Sequence, residues 1–562
     1  MLRRLLRQLL GVPAADSAEL VARGRAEREG GDPAAALATL RTALRLNAAS
    51  AQAQTELGQT YRALGRRDEA RAAFASAAAA DPGSALALMY LGNLDHEAGR
   101  MDAAASAYRA ALAIDANNAA LHYNLALTLV SLGEAAAAVA SFRRCLALAP
   151  DYADARSSML FALNMSDRAS IDEIAAEHFE WGRRIADPLY QEHDYSNAPD
   201  PERRLRLGYV SADFFQHAAE PFIQVFLAQH DVGQYDVYCY VNAPIPAGGD
   251  GRYGHRWREI RGLGDAQLAA QIAADAIDVL VDLSGHTYGT RLLAFARKPA
   301  PVQMTFLGYP NTTGMRAIDY RLTDAYADPP GASESRYRET LLRMPHSVWC
   351  FRPREEGMPE IGPLPARQNG YVSFASMNSA AKLNADLLGL WADLLNRVTD
   401  ARLVMATIAP GRARENILRV FAGKGVDAGR IAFHDRLPRD AFLALHNAVD
   451  IALDAYPCNG GATTCEALWQ GVPVVSLAGD TFESRAGLSL LSSAGLPQLA
   501  AHSATDYLDI ACSLASDRER LVRLRAGLRQ TLRASPLMDA AAFTRDLEAQ
   551  YRSAWRTWCA QR

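Results

Sequence analysis

A period of 34 residues runs through the first part of the chain, from about residue 17 to residue 150, and constrains the fold more than any other feature. Paired helices with this period are the tetratricopeptide pattern, in which small residues let the helices approach closely. The positions that recur in register are Leu57, Leu91 and Leu125; Gly65, Gly99 and Gly133; Ala70, Ala104 and Ala138; and Phe74, Tyr108 and Phe142. With a weaker copy upstream, the pattern predicts four repeats stacked into an α-solenoid with a concave groove. We expect the groove to capture a protein or peptide; the alternative is a scaffold or dimerisation surface.

Length, charge and cysteine usage narrow the class of protein. A chain of 562 residues suggests three to four domains at about 150 residues each. The net charge of -4 gives no electrostatic reason to expect nucleic acid as a partner. The seven cysteines are scattered without metal-ligand spacing, so we predict a cytoplasmic protein without a disulfide framework. Arg7 interrupts the apolar run of the first residues, which predicts an amphipathic N-terminal segment rather than a signal peptide or a transmembrane segment.

Two series of short apolar runs separated by helical segments follow Arg204, and this alternation predicts parallel, doubly wound sheets. The predicted strands are 205–211, 237–241, 279–283, 302–307 and 320–322 in the first series, and 371–374, 402–407, 431–433, 451–453 and 472–477 in the second. A stretch rich in Pro and Gly over 355–369 predicts a hinge between the halves. We therefore predict an amphipathic segment (1–16), repeats with linking helices (17–200), two Rossmann-like domains (201–365 and 366–540) and a C-terminal helix (541–562). We expect the helical tail to cross back and brace the first half.

The stretch from Tyr456 to Leu468 is the strongest candidate for a binding site. A predicted buried strand ends in a turn with Asn459, Gly460 and Gly461, and paired threonines open the following helix. Free backbone N–H groups and the positive end of a helix dipole form an anion site, and the glycines would let a phosphate approach. The stretch is neither a Walker loop nor GxGxxG, and its alternative interpretation is an ordinary βα turn.

Polar residues also follow the other predicted strands. Asp213, His217 and His286 follow strands of the first half, whereas Lys382 and Arg439 follow strands of the second. A lysine near a helix N-terminus opposes the helix dipole, so its position calls for a compensating anion. A cationic half facing a half with histidines and hydroxyls suits transfer from a nucleotide-activated donor. Neither a DxD motif nor an acidic pair occurs at these strand ends, so we expect the leaving group to be stabilised without a metal.

The order of repeats and motifs resembles the O-linked N-acetylglucosamine transferase family of nucleocytoplasmic protein glycosyltransferases. The matching motifs are Gly208 to His217, Gln303 to Pro310, Lys382, and Cys458 to Leu468 followed by Gly471-Val-Pro473. The resemblance covers nearly the whole chain and is typical of a bacterial member with a short repeat array. It implies two Rossmann-like domains of the GT-B type facing a cleft, a UDP-sugar as co-substrate, inversion at the anomeric carbon, and neither a cofactor nor a metal.

The resemblance also implies roles for individual residues. It makes His217 the catalytic histidine and Lys382 the lysine on the diphosphate. On the donor side, Arg439 lies at the uracil, Thr463 and Thr464 lie near the phosphates, and Glu466 binds the ribose. The remaining donor-side residues are Ser379, Leu437, Asn459, Gly460 and Gly461. The substrate-side residues are His286, Thr287, Gly308, Tyr309 and Pro310.

Five positions depart from the animal enzymes of this family: Ser379, Ala381, Phe442, Leu445 and Gly461. These departures leave the diphosphate site intact but affect which sugar the donor carries. We predict transfer of N-acetylglucosamine from UDP-GlcNAc to Ser or Thr of proteins. The alternatives are fucose to Ser or Thr, glucose to Asn, or a non-catalytic repeat protein that senses nucleotide sugars.

Overall fold

A computed structural model describes residues 16–249, 251–354 and 358–562. The predicted amphipathic segment, apart from Asp16, and residues 355–357 of the predicted hinge lie outside this range. The described chain forms two compact units, one reaching Leu132 and including Ala137–Pro150, the other comprising Gly133–Ala136 and Asp151–Arg562. None of the described helices is both long and apolar enough to cross a membrane.

The first unit consists of antiparallel helix pairs with the predicted period. The helices are α1 (Ser17–Glu29), α2 (Pro33–Leu46), α3 (Ala51–Ala63), α4 (Arg67–Ala80), α5 (Ala85–Glu97), α6 (Met101–Ile114), α7 (Ala119–Ser131) and α8 (Ala135–Leu148). In the first three pairs a glycine of the first helix faces a large side chain of the second, and in the fourth pair Ala126 takes that position. A Cβ added to Gly58 would lie 2.6 Å from the Phe74 ring, and one added to Gly92 would lie 2.6 Å from the Tyr108 ring. The repeat pattern therefore encodes this packing.

Two further helices, α9 (Ala153–Asn164) and α10 (Ile171–Trp181), open the second unit and lead into a seven-stranded sheet. Its strands are β1 (Leu205–Ser211), β2 (Tyr235–Val241), β3 (Arg256–Glu259), β4 (Val279–Asp282), β5 (Val302–Thr305), β6 (Tyr320–Asp324) and β7 (Thr340–Met344). All pairs are parallel, in the order β3-β2-β1-β4-β5-β6-β7. The connecting helices are α11 (Glu220–Leu227), α12 (Asp265–Ala274) and α13 (Leu292–Phe295). The strand order reverses between β1 and β4, which is the switch point where doubly wound folds bind ligands.

A second sheet repeats this topology with six parallel strands in the order β10-β9-β8-β11-β12-β13. The strands are β8 (Ser373–Ser376), β9 (Arg402–Met405), β10 (Ile431–Phe433), β11 (Ile451–Leu453), β12 (Val474–Leu477) and β13 (Ala500–Ala501). The helices are α14 (Pro365–Asn369), α15 (Ala385–Arg397), α16 (Arg412–Gly423), α17 (Arg439–Leu445), α18 (Ala462–Trp469), α19 (Phe482–Ser493), α20 (Ala504–Ser516) and α21 (Arg518–Arg533). Its switch point lies between β8 and β11. The predicted fold class, a helical repeat array followed by two doubly wound sheets, is confirmed.

The last helix, α22 (Ala540–Cys559), returns to the first sheet as predicted. The Tyr551 hydroxyl lies 3.1 Å from that of Tyr209 on β1, and Glu548 lies 2.9 Å from His230 Nδ1. The Trp555 indole donates to the Asp200 carbonyl at 2.9 Å. The C-terminus is therefore part of the packing of the first sheet.

The structure differs from the sequence-based expectation at three strands and one boundary. Strands β3, β7 and β13 were not predicted; each lies at the edge of its sheet, where a strand is short or partly exposed and lacks a continuous apolar run. We expected residues 151–200 to be linking helices grouped with the repeats, but they belong to the compact unit that holds the sheets. The reason is that side chains of α9 and α10 form hydrogen bonds with residues that follow β4 and β5.

Candidate functional site

The carboxyl ends of β8 and β11 meet at the second switch point, and the strongest motif of the sequence lies there. After β11 the chain makes a turn over residues 456–461, called here the Pro457 turn, and then enters α18. The Tyr456–Pro457 peptide bond is cis. After β8, a short 3₁₀ turn over Ala380–Lys382 brings Lys382 to the same place.

The Pro457 turn is held by Asp454, a fully buried carboxylate at the end of β11. It accepts hydrogen bonds from the N–H groups of Ala455 and Gly460 at 2.9 and 2.7 Å and from the Ser476 hydroxyl at 2.7 Å. Burial raises the pKa of Asp454, and these bonds together with the Lys382 charge oppose that rise. Gly460 is required by close approach, since an added Cβ would lie 2.5 Å from the Thr463 hydroxyl.

The turn presents unpaired backbone donors. In the described part of the chain, the N–H groups of residues 461–464 donate to no protein group, and Cys465 is the first to bond back, to the Gly461 carbonyl at 3.1 Å. The first N–H groups of a helix have no internal partner and carry the positive end of its dipole. The Thr464 hydroxyl is buried and donates to the Gly460 carbonyl at 3.1 Å, whereas Thr463 is half-buried. This end of α18 is therefore an anion-type site.

Lys382 adds a full positive charge to this site. Its Nζ donates to the Asn459 carbonyl at 2.6 Å, and it forms no ion pair within 4 Å in the described residues. Only three of the 59 Lys and Arg residues are lysines. The other two, Lys298 and Lys424, lie 2.5 and 3.0 Å from the carboxylates of Asp319 and Asp393. Lys382 is thus the lysine whose charge is available to a bound anion.

Two further donor-side residues form an ion pair beside the turn. Arg439, at the start of α17, donates to Glu466 on α18 at 2.9 Å. Burial raises the pKa of Glu466, and the charges of Arg439 and then Arg354 oppose that rise. Leu437 is half-buried just before α17, and Ser379 is exposed just before Lys382. The structure thus brings the predicted donor-side residues to the carboxyl ends of β8, β10 and β11.

His217 lies at the first switch point, after β1, with its side chain 53 % exposed. Its Nδ1 is 3.5 Å from the Asp213 carboxylate and 3.3 Å from the Ala219 N–H. Burial raises the pKa of Asp213, and the His217 charge opposes that rise. Nδ1 accepts from the Ala219 N–H when the ring proton is on Nε2, whereas a proton on Nδ1 faces the Asp213 carboxylate and leaves Nε2 free to accept a proton.

His286 and Tyr309, in contrast, belong to a buried set called here the histidine cluster, which consists of Ser157, Asn164, His178, His286 and Tyr309. The two ring nitrogens of His286 lie 2.9 Å from the Ser157 hydroxyl and 3.0 Å from the Thr313 carbonyl. The Tyr309 hydroxyl lies 2.7 Å from both Asn164 and His178. Burial lowers the pKa of His286 to about 3 and that of His178 to about 4. We expected His286 and Tyr309 to contact the substrate directly. This arrangement does not provide that contact, because their polar atoms are already bonded and enclosed.

The other predicted substrate-side residues lie near the same strand ends. Thr287 donates to the Ser284 carbonyl at 2.8 Å. Gly308 and Pro310 are half-buried, and a Cβ on Gly308 would lie 1.9 Å from the Leu283 carbonyl oxygen. Gly308 therefore packs directly on the backbone that follows β4.

Sequence reasoning missed two residues that shape the site. Asp454 directly follows the predicted strand 451–453, and a carboxylate at the end of an apolar run, before a glycine-containing turn, is the signal that could have identified it. No sequence signal singles out Arg354. It forms an ion pair with Glu220, its guanidinium lies 3.4 Å from the His217 carbonyl, and its charge opposes the rise in the pKa of Glu466. Arg354 thus lies beside His217 and acts electrostatically on Glu466.

Comparison with known proteins places the chain in a family. Tetratricopeptide models match residues 21–85, 55–119 and 119–152. The model of glycosyl transferase family 41 matches residues 152–352 and 364–547. A repeat-bearing α/β protein of the glycosyltransferase type is the class that the fold and these matches define. The chain belongs to glycosyl transferase family 41.

Similar proteins and one solved structure support this family assignment. The probable UDP-N-acetylglucosamine–peptide N-acetylglucosaminyltransferase SPINDLY of Solanum lycopersicum is 38% identical over 423 residues, which is 73% of this chain and 45% of that protein. The protein SEC of Arabidopsis thaliana, with the same probable activity in its name, is 27% identical over 64% of this chain and 38% of its own length. The chain thus spans less than half of these relatives. A mutant of the O-GlcNAc transferase of Thermobaculum terrenum is 37% identical, with a TM-score of 0.83 over 92% of this chain and 99% of that one.

Proposed function

We propose that this protein is a UDP-sugar-dependent protein glycosyltransferase that moves N-acetylglucosamine from UDP-GlcNAc to Ser or Thr hydroxyls with inversion. The observation that carries the proposal is the second switch point, where Lys382 and the unpaired N–H groups of residues 461–464 converge. Family membership and the names of the relatives support the donor and the acceptor class.

On this proposal the donor lies along the carboxyl edge of the second sheet. The diphosphate is bound by Lys382, by the N-terminus of α18 and by the Thr463 hydroxyl. Glu466 accepts from the ribose hydroxyls, and Arg439 and Leu437 lie at the uracil. A charge-assisted hydrogen bond contributes about 1.5–3 kcal/mol, and a partly buried helix terminus adds up to about 2 kcal/mol.

The same groups would stabilise the leaving group. As the glycosidic bond breaks, negative charge develops on the diphosphate, and donors already aimed at that position lower the barrier without reorganising. Lys382 and α18 therefore act as the electrophilic side of the reaction, and we expect no metal requirement. Turnover should be unchanged after treatment with EDTA; its loss, restored by a divalent metal, would contradict this point.

His217 is proposed to remove the proton of the acceptor hydroxyl. Its exposed ring can reach a substrate, and moving the ring proton to Nδ1, beside the Asp213 carboxylate, frees Nε2 to act as the base. General base catalysis of this kind contributes about 10²–10⁴-fold. The repeat groove is proposed to hold the acceptor polypeptide, and the protein is proposed to act in the cytoplasm.

One observation favours keeping other sugars as a second candidate. Gly461 stands where the animal enzymes have a histidine, and an added Cβ there would meet no atom within 4 Å. The missing side chain leaves open space beside the Pro457 turn, which bears on sugar choice. Transfer of fucose to Ser or Thr, or of glucose to Asn, is therefore the alternative.

The test is incubation of the full chain with UDP-GlcNAc, GDP-fucose or UDP-glucose and a peptide library, read by mass spectrometry. The proposal predicts a mass increase of one N-acetylhexosamine on Ser or Thr peptides. A deoxyhexose on Ser or Thr, or a hexose on Asn, would select an alternative. UDP binding with no mass increase from any donor would indicate a nucleotide-sugar sensor without turnover.

A further inference from the structure

A polar cavity of about 220 Å³ lies beside the Pro457 turn, within the unit that holds the sheets. Its walls come from the α9–α10 connection, the start of α15, Tyr456 and Pro457, and the start of α19. One water needs only about 10–15 Å³ of such space. The cavity therefore has room for a side chain.

Four carboxylates line the cavity: Asp167, Asp386, Asp480 and Glu483. No lysine, arginine or histidine is among its described lining residues. Asp386 and Asp480 are exposed and form no ion pair within 4 Å in the part of the chain that the structure describes. Asp167 pairs with the neighbouring Arg168 at 3.6 Å, so among the described residues Asp386 and Asp480 form the part of the acidic rim that has no ion pair.

Glu483 is the unusual member of this set because it is only 3% exposed. Its Oε2 is shielded from solvent and has no hydrogen-bond partner. A buried carboxylate oxygen without a donor costs free energy. This oxygen is an independent sign that the cavity accommodates a ligand that supplies a donor.

The two neutral amide side chains of the cavity are already in use. Asn384 donates to the Tyr456 carbonyl at 2.6 Å and accepts from the Leu387 N–H at 2.9 Å. Asn164 donates to Tyr309 at 2.7 Å and accepts from Asn311 at 2.9 Å. The carboxylates are therefore the charged groups that can recognise a guest, and they select a cation that donates hydrogen bonds.

We propose that this acidic cavity binds one basic side chain, lysine or arginine, of the acceptor polypeptide. The inference rests on the proposed function, because the cavity shares Tyr456 and Pro457 with the turn proposed to hold the donor. A residue close to the modified Ser or Thr would reach it. No three-group cluster suited to a metal ion occurs among the described residues, so a guanidinium or ammonium group is the better match.

The test measures binding of labelled peptides to the full chain in the presence of UDP. All peptides share a central threonine, and each carries arginine or glutamine at one flanking position, which is scanned along the peptide. We expect arginine at one position to tighten binding about tenfold or more over glutamine, since loss of one partner of a buried charge pair is costly. No preference at any position would overturn the inference.

Variants connect the preference to the cavity. Glu483→Gln keeps the shape of the side chain and should reduce the preference to less than about threefold. Asp480→Asn, on the exposed rim, should weaken it without risk to folding. Asp506→Asn, an exposed carboxylate outside the cavity, is the control and should leave it unchanged. A preference that survives both cavity variants would overturn the inference.

A transfer assay with the same peptides separates the two proposals. Equal KM for arginine and glutamine peptides that both receive sugar would refute the cavity assignment while the glycosyltransferase proposal stands. An arginine preference in binding without transfer from any donor would refute the glycosyltransferase proposal and leave the basic-side-chain site.

Discussion

Both switch points carry polar residues at the carboxyl ends of their strands. At the first, the His286 and Tyr309 side chains are buried and their polar atoms bond to protein partners. At the second, in the described chain, Lys382 donates to the Asn459 carbonyl and forms no ion pair, and the N–H groups of residues 461–464 have no protein acceptor. A position at the end of a strand therefore does not by itself define a binding residue. What distinguishes the two is whether the polar groups are already satisfied.

His217 lies at the first switch point, but its side chain is exposed. Like the residues of the second switch point, it is therefore available to a substrate. We expect His217→Ala to lower kcat by about 10²–10⁴-fold with little change in UDP affinity. The measurement is steady-state transfer together with UDP titration, with the exposed His502→Ala as control. Unchanged kcat would show that His217 is not the base.

Substitution in the histidine cluster should affect stability rather than donor binding. His286→Leu leaves the Ser157 hydroxyl and the Thr313 carbonyl unpaired, and each unsatisfied buried group costs about 1–3 kcal/mol. Thermal unfolding should show the loss, and UDP affinity should stay within about twofold. Weaker UDP binding at unchanged Tm would place His286 in the donor site and contradict the difference between the two switch points.

The cluster should also make the protein sensitive to acid. Burial lowers the pKa of His178 from 6.5 to about 4, so the folded state resists a proton that the unfolded state binds. Stability is then fully present above pH 6.5 and is lost as pH falls towards 4, by about 3 kcal/mol from this residue. Tm measured across this range tests the sign, and a Tm that rises on acidification would contradict it.

Lys382→Ala should weaken UDP binding by about 10–100-fold, the equivalent of one charge-assisted hydrogen bond. Lys424→Ala removes an exposed lysine paired with Asp393 and is the matched control. Calorimetric titration of UDP measures both. Equal affinities in the two variants would mean that the available charge of Lys382 does not serve the donor.

The smallest effect is expected from Thr463→Val, which keeps the shape and removes one hydroxyl. UDP affinity should fall about threefold to tenfold, because one hydrogen bond contributes about 0.5–1.5 kcal/mol. Thr531→Val, on an exposed face of α21, controls for the loss of a hydroxyl. A Thr463 variant with wild-type affinity would restrict the site to Lys382 and the backbone.

The sequence predicted the parts of the fold that periodicity encodes. The 34-residue repeat fixed the helix pairs through contacts such as Gly58 with Phe74, and apolar runs marked the central strands. The sequence does not predict edge strands such as β3, because their exposed side chains show no apolar pattern. In the site, Lys382 and the Pro457 turn were recognisable from local chemistry. The enclosure of His286 was not, because its partner Ser157 lies 129 residues away along the chain.

Hydrogen exchange of the full chain with and without UDP tests whether the N-terminus of α18 and Lys382 bind the donor. We expect slower exchange for the amides of residues 461–464 and around Lys382, where free donors would be covered by the diphosphate. Amides after β4 and β5, around His286 and Tyr309, should be unchanged. Protection confined to the first switch point, or no protection at the N-terminus of α18 at saturating UDP, would contradict this expectation.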